Sequence, residues 1–122
     1  MALPAQHEVL QGQIETAVVA LRKGGVVAVP TDTLYGLAAS VLDETAVRRV
    51  FRLKGRPEGG AMPILLDDLD RVAMCADEIP DVAWVLMERF WPGALTLVLH
   101  RSQGIPSTVS GGMDTVALRV PD

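Results

Sequence analysis

The sequence predicts an α/β domain in which helices flank an open, mixed β-sheet. Residues 25–29 form a short apolar run that ends at Pro30, which is typical of a buried strand because proline cannot donate to a sheet ladder. Residues 14–23 and 44–53 instead carry apolar side chains at helical spacing. Such segments alternate along all 122 residues, a length that limits the chain to one domain. Because the alternation lacks regular βαβ repeats, we expect a mixed sheet covered by helices.

The first elements are predicted from spacing and from stop signals. They are a helix over 14–23, a strand over 26–29, a strand over 37–41 and a helix over 44–53. Gly24 supplies the stop signal of the first helix, since glycine readily adopts the left-handed conformation of a helix end. Asp43 is the predicted N-cap of the second helix, which turns Val47, Val50 and Phe51 inward.

The remaining elements follow a glycine-rich loop over 54–61. They are a strand over 62–66, a short helix that ends near Met74, a helix over 79–90, and strands over 94–100 and 115–120. Asp67 or Asp68 is the predicted cap of the short helix, and Pro80 is placed in the first turn of the next one, where its missing N–H costs least. Residues 91–96 are interpreted as a helix stop packed by the Trp91 indole.

Composition narrows the class of protein. Hydrophobic residues make up 49% of the chain, so a packed core is expected, and no apolar run approaches the roughly 18–20 residues of a membrane span. The net charge of −4 argues against binding nucleic acid through bulk electrostatics. The lone cysteine, Cys75, excludes an internal disulfide and is interpreted as a small packed residue, which together with the absence of a signal peptide predicts a cytoplasmic protein.

A polar segment over residues 30–37 is the first candidate for function. Thr31, Asp32, Thr33 and Tyr35 bring hydroxyl and carboxyl oxygens to the end of a predicted strand, where open α/β sheets bind ligands. The structural alternative is a turn that joins two strands through its own side-chain hydrogen bonds, and residue type alone does not decide between them.

Two cations around Gly55 are the second candidate. Lys54 offers a point charge and Arg56 a planar fork, a pair suited to a triphosphate or a carboxylate. The order of residues is not that of a Walker A loop. The alternative is a solvated basic helix end that complements the helix dipole.

The last predicted strand is the third candidate. Thr115 and Arg119 lie four residues apart and hence on one face, which leaves a charge on a face that should be apolar. An Arg at the rim is the structural alternative. His7 and His100 fit no metal-ligand pattern, and no Gly-x-Ser-x-Gly segment is present for acyl transfer.

Four segments in order resemble one family. They are Pro-Thr-Asp-Thr-Leu-Tyr-Gly-Leu at 30–37, Lys-Gly-Arg-Pro at 54–57, Trp-Pro-Gly-Ala-Leu-Thr-Leu at 91–97 and Thr-Val-Ala-Leu-Arg-Val-Pro at 115–121. Together they are similar to the YrdC-like threonylcarbamoyl-AMP synthases. The resemblance implies an open, twisted sheet around a large concave pocket, and a nucleotidyltransferase that joins L-threonine, bicarbonate and ATP. The product, threonylcarbamoyl-adenylate, would feed modification of an adenosine in certain tRNAs.

The resemblance also implies roles for individual residues. Thr33 matches a contact to L-threonine, and Arg119 matches the partner of the threonine carboxylate. Lys54 and Arg56 match the cationic pair that binds the ATP phosphates and the carbonate-derived anion, with catalytic roles, and Thr115 matches a nucleotide contact. An Mg²⁺ ion is expected with the nucleotide.

The chain departs from the family pattern in two ways. Some members carry Asn and His at the positions that match Gly60 and Leu65. A Ser-x-Asn segment with further nucleotide contacts follows the last strand in the family, so we expect a single YrdC-like domain over 1–122 that lacks its C-terminal part. The alternatives are an RNA-binding module of the same fold, the related carbamoyl-transfer domain of hydrogenase maturation, and an inactive truncated member; self-association through the truncated edge is a further expectation.

Overall fold

The structure is a computed structural model that describes residues 4–31, 34–56 and 60–122, with side chains from residue 8 onward. Its elements in order are helix α1 Pro4–Arg22, strands β1 Val27–Val29 and β2 Gly36–Ala38, helix α2 Glu44–Lys54, strand β3 Ile64–Leu65, a 3₁₀ turn Leu69–Arg71 that continues into helix α3 Val72–Cys75, strand β4 Ala76–Asp77, helix α4 Asp81–Phe90, and strands β5 Leu97–Arg101 and β6 Thr115–Arg119. The predicted α/β class is confirmed.

The described strands form two sheets. β1 and β2 pair antiparallel, with Val27 opposite Ala38. The other four strands have the order β3-β6-β5-β4, in which β3 runs parallel to β6 and the other pairs are antiparallel. Leu118 of β6 lies opposite Ile64 on one side and Leu97 on the other, so β6 is an inner strand of a mixed sheet.

The core lies between the four-stranded sheet and helices α2, α3 and α4. Phe51, Val72, Met87 and Leu118 are fully buried within it. The predicted inward face of α2 is therefore observed. Asp43 caps this helix as predicted, because its carboxylate accepts a 3.0 Å hydrogen bond from the Ala46 N–H.

Several element boundaries differ from the sequence prediction. α1 begins at Pro4, well before residue 14, and the second strand is shorter than the predicted 37–41. Pro80 is the N-cap of α4 and does not lie in its first turn. The two-residue strand β4 was not predicted, since a segment so short gives no periodic signal.

None of the helices in the described part of the chain combines the length and the apolar character that crossing a bilayer requires.

Candidate functional site

One cavity of about 850 Å³ lies between the segment after β1 and the four-stranded sheet. Its size is within the range of small-molecule sites. Residues 37–42 form one wall, and α2, β3 and Arg119 of β6 contribute others. Most lining side chains are apolar, including Leu37, Val47, Met62 and Ile105, so the polar groups on its wall are few.

The end of α2 brings two of the predicted cations to this cavity. Gly55 adopts a left-handed conformation with φ of 67°, and its N–H donates to the Arg52 carbonyl oxygen at 3.1 Å. The Arg56 N–H then donates to the Phe51 carbonyl oxygen at 3.0 Å, which completes a helix end typical of glycine. Lys54 and Arg56 flank this turn, line the cavity and are exposed. Both the predicted helix-end role and an anion-binding role are compatible with this geometry.

Arg119 reaches the same cavity from the sheet. Its side chain is 9% exposed, so it is a buried cation and not an Arg at the rim. Its Nε donates a 2.8 Å hydrogen bond to the Gly93 carbonyl oxygen. A buried guanidinium requires such partners because desolvation of a charge is costly. The cavity therefore combines a buried cation, Arg119, with exposed cations that include Lys54 and Arg56.

Among the described residues of the predicted polar segment, some line the cavity and others do not. Thr31 lines the cavity, but its hydroxyl donates to the Leu34 carbonyl oxygen at 2.7 Å and accepts from the Leu34 N–H at 3.2 Å. This is the hydrogen-bonded turn that the structural alternative predicted. Tyr35 is 78% exposed and is not among the cavity-lining residues. Asp32 and Thr33 lie outside the described residues, so the role of Thr33 stays a prediction.

Thr115 lies away from the cavity. It pairs with His100 at the opposite end of β6 from Arg119 and does not line the cavity. The two residues share a strand and a face, but the length of the strand separates them. Its predicted nucleotide contact stays a prediction.

Three further cavity-lining residues, Asp67, Arg71 and Cys75, carry ionisable groups and were not predicted as site residues. Arg71 Nε lies 3.4 Å from Asp67 Oδ1, an exposed pair spaced four residues apart. Cys75 also lines the cavity, and burial raises the pKa of its thiol above the ordinary value because burial disfavours the thiolate. The neutral, packed thiol agrees with the interpretation of Cys75 as a structural residue. In the sequence, only the i, i+4 spacing of Asp67 and Arg71 indicated this ion pair.

A second, smaller hollow of about 380 Å³ is polar and carries none of the predicted site residues. It is lined by Asp77, Glu78, His100, Arg101, Gln103 and Asp114. The Arg101 guanidinium is hydrogen-bonded to the backbone, since it donates to the carbonyl oxygens of Ile105 at 2.8 Å and Met113 at 3.2 Å. Across residues 4–31, 34–56 and 60–122, no three His, Cys, Asp or Glu side chains gather as a metal site.

Comparisons with known proteins agree with the resemblance. A family model named Sua5_yciO_yrdC, with the description "Telomere recombination", matches residues 19–122. The threonylcarbamoyl-AMP synthase of Pyrococcus abyssi is 44% identical over 116 residues, which are 95% of this chain and 34% of that protein. The threonylcarbamoyl-AMP synthase of Bacillus subtilis is 40% identical over 111 residues, which are 90% of this chain and 32% of that protein. This chain spans about a third of the length of each of these relatives.

A solved structure extends the comparison to the fold. The crystal structure of Pyrococcus abyssi Sua5 complexed with L-threonine matches with a TM-score of 0.87 and 47% sequence identity. The match covers 88% of this chain and 32% of that chain. The arrangement of helices and strands described above is therefore shared with a protein that binds L-threonine.

Proposed function

This chain belongs to the Sua5_yciO_yrdC family, and from that membership we propose that its cavity binds L-threonine and ATP for threonylcarbamoyl-AMP synthesis. The reaction joins L-threonine, bicarbonate and ATP into threonylcarbamoyl-adenylate and releases pyrophosphate. One observation carries the proposal: Lys54 and Arg56, at the end of α2, line the same cavity as Arg119, which is more than sixty residues away in the sequence. Their convergence supports a ligand with more than one anionic group.

The buried end of the cavity suits the amino acid. Arg119 is held in place by the Gly93 carbonyl, and a planar guanidinium is the side chain best matched to a carboxylate. We assign it the threonine carboxylate. Thr33 follows Thr31 by two residues in the sequence and precedes β2. We propose it as a second contact to threonine.

The exposed edge of the cavity suits the phosphates. Lys54 and Arg56 are separated only by Gly55, so their charges act on one region of a bound nucleotide. The apolar wall that includes Leu37, Val47 and Met62 offers surface for a base. Thr115 is proposed as a further nucleotide contact on the strength of the resemblance alone.

The proposed chemistry depends mainly on positioning. The threonine amine attacks the carbon of CO₂ formed from bicarbonate and loses a proton, which gives a carbamate. A carbamate oxygen then attacks the α-phosphorus of ATP, and the bond from that phosphorus to the β-phosphate oxygen breaks as pyrophosphate leaves. Lys54 and Arg56 would stabilise the charge that develops on the phosphates. Nothing in the described residues stands out as the proton acceptor.

The described residues do not form a site for Mg²⁺. The carboxylate that lines the cavity, Asp67, is paired with Arg71, and the described part of the chain holds no cluster of three candidate ligands. Mg²⁺ typically keeps several waters and binds substrate phosphates through few protein groups. We therefore route no step of the mechanism through the ion.

Removal of Arg56 tests the proposal. We expect the Arg56→Ala chain to release pyrophosphate in a threonine-dependent way about 100-fold more slowly than the unmodified chain, because a charge-stabilising group is lost. Arg49→Ala is the matched control, since Arg49 is exposed on α2 and does not line the cavity. Equal rates for the Arg56→Ala and unmodified chains would remove Arg56 from the mechanism. An unmodified chain without threonine-dependent release would contradict the activity proposed for this chain.

An RNA-binding role is the second candidate, and one surface favours it. Arg49 and Arg52 are exposed on the outward side of α2, close to Lys54 and Arg56. Retention of RNA that falls steeply with salt concentration would support this role, because phosphate binding releases counterions. If RNA retention does not change with salt concentration, the RNA-binding role is contradicted, and nucleotide binding remains as the function proposed for these cations.

A further inference from the structure

Gly93 lies in the loop after α4 and is hydrogen-bonded to the end of β6 in both directions. Its carbonyl oxygen accepts from Arg119 Nε at 2.8 Å. Its N–H donates to the Val120 carbonyl oxygen at 2.9 Å. The two bonds join the same two segments, so the loop and the strand end hold each other in a fixed relation.

The bond to Nε constrains the orientation of the guanidinium plane. Nε lies within the planar group, so a partner on this nitrogen fixes the plane and limits rotation of the outer nitrogens. Arg119 is 9% exposed and lines the cavity, whereas Gly93 is not among the lining residues. Gly93 therefore contacts the guanidinium without lining the cavity itself.

A residue with a side chain does not fit at this position. A Cβ built on Gly93 would lie 2.6 Å from the Phe90 carbonyl oxygen, which is a backbone atom that cannot rotate away. The loop is also held at Trp91, which is 8% exposed and donates from Nε1 to the Leu95 carbonyl oxygen at 2.7 Å. A side chain at 93 must therefore shift the backbone at Gly93 or at Phe90, and with it the loop whose carbonyl Arg119 uses.

We propose that Gly93 is a positioning residue whose carbonyl directs the Arg119 guanidinium toward the carboxylate of the amino-acid substrate. This inference rests on the proposed function, in which Arg119 binds that carboxylate. Glycine at 93 then contributes to selectivity for a free carboxylate, and it does so only through Arg119.

Calorimetric titration with two ligands tests the inference. L-Threonine carries the carboxylate, and L-threoninamide has the same side chain and amine but a neutral amide in its place. We expect Gly93→Ala to weaken L-threonine binding about tenfold, the scale of one hydrogen bond to a charged group. Binding of L-threoninamide and of ATP should stay within about twofold, since neither ligand depends on this bond in the proposal.

Two further variants separate positioning from general damage. Gly12→Ala is the matched glycine control, because Gly12 lies in α1 with no atom within 4 Å of the added Cβ. In an Arg119→Leu background, Gly93→Ala should weaken L-threonine binding no further, since the residue through which it acts is gone. Equal weakening of both amino-acid ligands and ATP by Gly93→Ala would show a merely structural role and overturn the inference.

A second variant, with the glycine left in place, keeps the inference testable should Gly93→Ala fail to fold. Arg119→Lys retains the charge but has no Nε to bond the Gly93 carbonyl, so it should also lose the preference for L-threonine over the amide. If the Arg119→Lys chain keeps the full preference for L-threonine over L-threoninamide, the inference about Gly93 is overturned while the proposed function stands. An unmodified chain that binds neither ligand would overturn the proposed function and this inference with it.

Discussion

The N-terminal part of the molecule, residues 4–42, and the body, residues 43–122, bury their apolar side chains very differently. In the body, Phe51 and Leu118 are fully buried. In α1, Ile14 is 56% and Val19 48% exposed, although both are large apolar side chains. Yet both parts line the cavity, because residues 37–42 face α2 and β3 across it. The burial that stabilises the fold therefore lies mainly in the body, whereas the N-terminal part mainly supplies a wall of the cavity.

The largest expected difference is in the cost of truncating an apolar side chain. Phe51→Ala should lower the free energy of unfolding by about 3–5 kcal/mol, because it leaves a cavity in the closed core. Ile14→Ala should cost less than about 1 kcal/mol, since its side chain is more than half exposed. Urea unfolding followed by circular dichroism measures both. Similar losses for the two variants would mean that α1 is as tightly packed as the body.

The next largest effect contrasts two glycines. Gly55→Ala should cost about 1–2 kcal/mol, because φ of 67° places an L-residue in the left-handed region. Gly36→Ala in β2 should stay within about 0.5 kcal/mol, as no atom lies within 4 Å of the added Cβ and its φ is not positive. Thermal unfolding of the pair distinguishes them. If the Gly55→Ala chain is as stable as the Gly36→Ala chain, the left-handed conformation at the end of α2 does not require glycine.

A smaller effect is expected at the junction of the two parts. Asp43 caps α2, and a Cβ added to Gly24 would lie 2.7 Å from its Oδ2, so the carboxylate packs closely on the N-terminal part. Asp43→Ala should cost about 1 kcal/mol, the usual value of a helix N-cap. The same unfolding experiment measures it. Asp43→Asn, which keeps an accepting oxygen, should restore most of the loss, and no recovery would contradict the capping role.

The smallest effect is a pH dependence in the body. Because burial raises the pKa of the Cys75 thiol, the unfolded chain releases its proton at lower pH than the folded chain. The stabilisation from the neutral thiol is complete below the unfolded pKa and is lost as pH rises through the folded value. Unfolding measured at a series of alkaline pH values should show this decline. The decline should be weaker in Cys75→Ala, and an identical slope in both chains would contradict its assignment to the thiol.

The fold was predictable from the sequence wherever a periodic pattern coincided with burial. In α2 the inward face of Val47, Val50 and Phe51 and the cap at Asp43 agree with the structure. The apolar stripe of α1 has the same kind of spacing but remains largely exposed, because periodicity reports which face is apolar and not what covers it.

The residues that line the cavity were predictable only where chemistry and position coincided in short motifs. Lys54, Arg56 and Arg119 were identified from charge on otherwise apolar or glycine-rich segments, and all three line the cavity. The hydrogen bond between Gly93 and Arg119 was not predictable, since it joins a backbone carbonyl to a side chain 26 residues away along the chain. A contact between distant segments leaves no local pattern in the sequence.

The position of β6 has a consequence for how the protein opens. β6 is hydrogen-bonded on both sides, by β3 and β5, and it carries Arg119 at its end. Amide hydrogens in such a strand exchange last, whereas the exposed α1 and the two-stranded β1–β2 sheet belong to the segments that open most readily. Excursions that detach the N-terminal part would thus leave the Arg119 guanidinium anchored and open the cavity on the side formed by the least protected part of the chain.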